Sequence, residues 1–97
     1  MALPMTLLRR AGVEERLGKG RSALYDDIKM GLMTPGVSIG SRAVAWPRRE
    51  VDALVAARIA GKSNADIRQL VKRLVAERAD ALAAIRPDMA VQRKPGK

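Results

Sequence analysis

Residues 36–46 read GVSIGSRAVAW. Val37 and Ile39 alternate with small or polar residues, and Val44 and Trp46 do the same two residues apart. Alternation with a period of two marks a half-buried strand. Gly40-Ser41 lies between the two runs and fits a two-residue hairpin turn of type II′. The face carrying Val37, Ile39, Val44 and Trp46 is expected to pack on helices. Arg42, just past the turn, is expected near the tip of the hairpin.

Working back from the hairpin, the second helix runs from about Arg21 to Met30, with Leu24 and Ile28 as its inner stripe. Gly20 is its N-cap and Gly31 ends it. An earlier, shorter helix spans about residues 9–17, with Val13 and Leu17 four apart and Gly18 as the stop. Working forward, Pro47 suits the first position of a third helix. That helix carries Val51, Leu54, Val55 and Ile59 at three- and four-residue steps and ends at Gly61. Ser63 caps a fourth helix, with Asp66 three residues on as in a capping box. Its stripe, Ile67, Leu70, Val71, Leu74, Val75, Ala81, Leu82 and Ile85, runs on until Pro87. Such a helix is roughly 33 Å long.

The expected fold class is therefore mainly α: a winged helix-turn-helix of two short helices, a two-stranded hairpin wing and a third helix, plus a long C-terminal helix. Residues 1–61 form the winged domain. Residues 62–86 form the long amphipathic helix, expected to oligomerise. Residues 87–97 form a basic, flexible tail with two prolines.

Composition narrows the function. Across 97 residues there are 19 Lys and Arg against 10 Asp and Glu, a net charge of +9. The excess is spread along the chain: residues 1–61 hold ten basic and six acidic side chains, residues 62–97 nine and four. Such a surface attracts polyanions, and nucleic acid is the commonest. With one Trp, one Tyr and no Phe, the core must be aliphatic and small enough that a partner chain would help it. Cys and His are both absent, which removes disulfides, thiol nucleophiles, imidazole bases and the usual zinc ligands. No carboxylate or lysine pair shows a catalytic spacing, so neither an enzyme nor a cofactor or metal site is expected. No apolar run approaches the ~20 residues of a membrane span, and MALPMTLLRR is too short for a secretory signal. A cytoplasmic, nucleoid-associated protein is expected.

The order of elements is a weak signal by itself; the residues strengthen it. Leu8-Arg9, Val13, Gly18, Arg21-Ser22, Leu24-Tyr25, Ile28, Gly31, Pro35, Gly40, Arg42, Val44, Trp46 and Glu50-Val51 resemble the AlpA family of phage regulators over about residues 7–60. The family is related to MerR-like and excisionase-like winged domains. The resemblance implies a small DNA-binding protein of a phage or integrative element, regulating transcription or bending DNA during excision. The family usually shows Ser, a Thr-like residue and Arg where this chain has Gly20, Ala23 and Asp26.

Double-stranded DNA is thus the expected partner, and Lys19, Arg21, Ser22, Tyr25, Asp26, Lys29 and Arg42 are the candidate contacts. Lys19 lies in the turn between the first two helices. Tyr25 suits either a core edge or a phosphate contact. Arg48 and Arg49 oppose the dipole at the start of the third helix, which hints at another use. Trp46 is expected in the core. Stepping about 100° per residue from Leu24 puts Ser22, Tyr25, Asp26 and Lys29 on the outward side and Asp27 beside the core. Asp27 is expected to pair with a cation of the first helix, Arg9, Arg10 or Arg16. Asp26 has two readings: a partner for Lys29 or Ser22 that tempers charge, or an acceptor for a cytosine amino group.

The fourth helix lies beyond the resemblance. It either folds back on the domain or joins chains into a homodimer or higher oligomer through Ile67, Leu70, Val71, Leu74, Leu82 and Ile85, with Arg78 interrupting the seam. Other functions compete with gene control. The small subunit of a phage terminase also joins a winged domain to an oligomerising helix. An adapter would use the same fold to bind another protein. A membrane-surface helix is a fourth reading, against which the Trp46 hairpin argues.

Overall fold

The computed structural model describes residues 5–89. A two-residue strand, β1 (Leu7–Leu8), precedes two short helices, α1 (Arg10–Leu17) and α2 (Arg21–Lys29). The hairpin follows as β2 (Val37–Gly40) and β3 (Ala43–Pro47). Two longer helices, α3 (Arg48–Ile59) and α4 (Asn64–Glu77), complete the main body. A 3-10 turn (Arg78–Asp80), a one-turn helix α5 (Ala81–Ile85) and a second 3-10 turn (Pro87–Met89) end the described chain. The rest of the basic tail expected from 87 to 97 lies outside the described residues.

Local chemistry sets most of these limits. Gly18 closes α1 with φ 67°, and its N–H and that of Lys19 bond back to Glu15 and Glu14 carbonyls. A side chain other than glycine is strained in that left-handed conformation. Ser63 Oγ accepts the Asp66 N–H at 3.1 Å, the expected cap of α4. Pro47 serves as the N-cap of α3 and the last residue of β3, one position earlier than expected.

The wing departs from its expected register. β2 pairs antiparallel with β3 as Val37↔Ala45, Ser38↔Val44 and Gly40↔Ala43, with a bulge between Ser38 and Gly40. The turn is Ser41-Arg42, and Gly40 does not take the positive φ that a type II′ turn requires. Cross-strand partners share a face, so Val37 lies with Ala45, opposite Val44 and Trp46. Ile39 and Val44 are exposed, whereas Trp46 is fully buried and donates Nε1–H to the Thr34 carbonyl at 2.8 Å. The bulge re-aims Ile39, which strict alternation placed in the core.

β1 went unforeseen because two residues are too few to show alternation. It pairs with the far edge of β3, Leu7↔Pro47 and Leu8↔Trp46, giving the sheet order β1-β3-β2.

One core joins the layers: Val13, Leu24, Leu32, Met33, Trp46, Val51 and Leu54 pack with Ile67, Val71 and Leu74 of α4. Burying each such aliphatic side chain is worth about 1.5–3 kcal/mol. Ile59 stays exposed because it lies about 80° around α3 from Val51, at the edge of the stripe. The long C-terminal helix is present from Asn64 to Ile85, its α-helical bonding interrupted by the 3-10 turn Arg78–Asp80. There the Arg78 guanidinium reaches Glu50 and the Pro35 carbonyl. No Gly or Pro marks that interruption in the sequence.

Candidate nucleic-acid interface

α2 is docked by Leu24, fully buried, and Ile28, half-buried. Its remaining faces carry Arg21, Ser22, Ala23, Tyr25, Asp26 and Lys29, all exposed. Ser22, Tyr25, Asp26 and Lys29 among them are the outward positions that helical stepping assigned. Arg21 sits with its guanidinium carbon 6.0 Å from the centre of the Tyr25 ring, within cation–π range. Tyr25 is 39% exposed, so more than half of its surface is covered while the rest stays open.

Asp27 is buried, as its angle required, but its partner differs from the one expected. Its carboxylate accepts Lys19 Nζ at 2.5 Å, from the turn after α1 rather than from α1 itself. The Asp27 carbonyl accepts the Leu32 N–H at 2.8 Å, so both ends of the residue are held. Lys19 is consequently engaged within the chain. The arginines proposed for Asp27 are placed otherwise: Arg10 pairs with Glu14 at 2.8 Å, and Arg16 reaches Asp52 of α3 at 3.5 Å. Arg9 is the exposed N-cap of α1.

Asp26 has neither of the partners considered for it. Among the described residues it makes no ion pair or side-chain hydrogen bond with Lys29 or Ser22. Arg21, Lys29 and Arg42 likewise make no ion pair among the described residues. Arg42 occupies the second position of the Ser41-Arg42 turn and is exposed.

Both ends of α2 are shaped by their surroundings. Gly20 supplies no side-chain acceptor, so the first-turn N–H groups remain open. At the other end Arg68 of α4 donates Nε–H to the Met30 carbonyl at 2.9 Å. Its aliphatic stem lies 3.7 Å from where a Cβ on Gly31 would stand. A cation near the last carbonyls also suits the helix dipole. Sequence reading missed Arg68, for the contact spans 38 residues and has no local signature.

The six side chains assigned to oligomerisation divide. Ile67, Val71 and Leu74 are buried in the chain's own core and cannot also form a seam between chains. Leu70 is half-buried; Leu82 and Ile85 are exposed. Among the described residues, no His/Cys/Asp/Glu group could hold a metal ion. No helix there is long and apolar enough to cross a membrane.

Comparison with known proteins bears on this arrangement. No solved structure matches the chain. An uncharacterized protein of Enterobacteria phage P4, ORF88, is 44% identical over 57 residues, which is 59% of this chain and 65% of that protein. The match thus spans just under two thirds of the phage relative. Residues 6–59 match the family described as prophage CP4-57 regulatory protein (AlpA). That span runs from the start of β1 to the end of α3, taking in the helix pair and the wing, and the chain belongs to the AlpA family of phage regulatory proteins, a family of regulators rather than enzymes.

Proposed function

We propose that this chain binds double-stranded DNA, with α2 in the major groove and the Ser41-Arg42 turn on the neighbouring backbone. The observation that carries the reading is the outward face of α2: polar or charged at Arg21, Ser22, Tyr25, Asp26 and Lys29, exposed, and making no ion pair among the described residues. α2 is a nine-residue helix, and an α-helix with its side chains, about 10–12 Å across, fits a groove about 12 Å wide. Arg21, Lys29 and Arg42 supply charge for phosphates, and Ser22 and Asp26 supply hydrogen-bonding groups for base edges. The open N–H groups after Gly20 add a place for a phosphate oxygen. Lys19 contributes mainly by holding Asp27, and so the angle between α1 and α2.

The process served is control of phage or integrative-element genes, by transcriptional regulation or by bending DNA during excision. A nucleoid-associated location follows from the same reading. Binding measured against salt tests it: log affinity should fall with log salt by about 0.9 per phosphate neutralised. A salt-independent or absent interaction with duplex DNA would refute it and favour an adapter that binds protein. Footprints near promoters indicate regulation, bent complexes at an attachment site indicate excision, and protection of a packaging site indicates a terminase subunit.

A further inference from the structure

An open cleft of about 870 Å³ is lined by β1 with the residues before it, the start of α3, and the stretch from the end of α4 to α5. Met5, Leu7, Ala81, Ala84 and Ile85 give it an apolar lining. Three of these are large and exposed: Met5 by 56%, Leu7 by 50% and Ile85 by 63%. Neither α2 nor the Ser41-Arg42 turn contributes to it.

The charges around the cleft say what could cover it. Arg78 and Glu50 neutralise each other. That leaves Arg49 of α3, Glu77 at the end of α4 and Asp80 in the 3-10 turn after it, none of them in an ion pair among the described residues. Elsewhere the chain is strongly basic, with a net charge of +9, so two copies repel over most of their surface. Here both signs stand unpaired around an apolar floor. A two-fold interface needs this self-complementarity, since each contact occurs twice. The outer side of β1 is also a sheet edge, pairing among the described residues with β3 alone.

We propose that this cleft is the contact surface for a second copy of the chain. Met5, Leu7 and Ile85 of each copy form the buried floor, and Arg49 of one copy faces Glu77 and Asp80 of the other. The dimer leaves α2 and Arg42 of both copies free, and the inference stands independently of DNA binding. It replaces a seam through Ile67, Val71 and Leu74, which the core already uses.

Sedimentation of the full chain without DNA, at micromolar to high-micromolar concentration, tests it. A dimer is expected. Arg49→Glu should weaken it about tenfold, because each exposed pair is lost twice and replaced by repulsion. Adding Glu77→Lys and Asp80→Lys to Arg49→Glu should restore association, which a folding defect would not do. Ile85→Asp, at an exposed position, should abolish the dimer while leaving the circular dichroism spectrum intact. A native chain that stays monomeric at high micromolar concentration overturns the proposal, as does a dimer indifferent to either Arg49→Glu or Ile85→Asp.

Discussion

The guanidinium of Arg78 grips both carboxylate oxygens of Glu50, at 2.8 and 2.7 Å, where α4 passes into the 3-10 turn. A further N–H reaches the Pro35 carbonyl at 2.6 Å, so one side chain ties the end of α4 to α3 and to the loop before the wing. Glu50 is 4% exposed. Removing Arg78 leaves that carboxylate buried and unpaired, whereas removing Glu50 leaves an arginine that can turn to water. Arg78→Ala should therefore destabilise the fold by about 3 kcal/mol, the lower end of the range for broken buried pairs because Arg78 is partly solvated. Urea unfolding of Arg78→Ala, Glu50→Gln and the double variant checks this. Additive losses would show that the two residues do not act as a pair.

Gly36 packs under the wing. A Cβ there would stand 3.1 Å from Val44 Cβ and 3.3 Å from Trp46 Cζ2. Val44 Cβ is tied directly to the strand backbone and cannot swing aside. Gly36→Ala should lower stability by about 1–2 kcal/mol through overpacking. A variant as stable as the parent in thermal melts would mean that the loop from Thr34 to Gly36 moves freely off the sheet.

Trp46 reports on the core directly. It is fully buried and hydrogen-bonded to Thr34, so its emission should be blue-shifted in the native protein and move to the red on unfolding. Trp46→Phe should cost about 1–3 kcal/mol, combining a lost hydrogen bond with a lost ring. Native emission already at the wavelength of free indole would contradict the burial.

Arg42 and Lys19 should separate in their effects on DNA binding and stability. Arg42 is exposed and unpaired among the described residues, so Arg42→Ala should weaken binding evenly across sequences and reduce the salt slope by about 1, with no change in melting. Lys19→Ala strands the buried Asp27, so it should lower stability as well as affinity. A loss of affinity for Lys19→Ala without any loss of stability would assign Lys19 to DNA rather than to Asp27.

Asp26 is the sharpest test of base reading. It is exposed and, among the described residues, without Lys29 or Ser22 as partner. Asp26→Ala should raise affinity for random duplex DNA and relax preference at one base pair, worth about 1–3 kcal/mol of discrimination. Selection from a randomised site would show the same preference for both proteins if the carboxylate only tempers charge.

Much of this architecture was readable in the chain because its signals are local. Gly18, Gly31 and Gly61 end helices where expected, Ser63 caps α4, and stepping around α2 separated Leu24 from Asp26 and placed Asp27 inward. What escaped depends on contacts far apart in sequence. The bulge at Ile39 depends on pairing with β3; Ile39 and Val44, expected inward, are exposed, while Trp46 of the same expected face is buried. Lys19 won Asp27 from the arginines because it leaves the turn beside α2 rather than the body of α1. The long apolar stripe of the fourth helix was legible, but not that Arg78 would reach across to Glu50 where α4 gives way to a 3-10 turn.

The placement of Ile67, Val71 and Leu74 beside Leu24 and Trp46 bears on how such genes can be shuffled. The family likeness stops at residue 59, yet the hydrophobic interior continues past it. A crossover in the short Gly61–Ser63 link would graft one protein's reading head onto another's buttress. The hybrid would hold together only if the incoming aliphatic trio filled the same hollow, so inheritance should keep the two stretches together even where only the first is recognisably related.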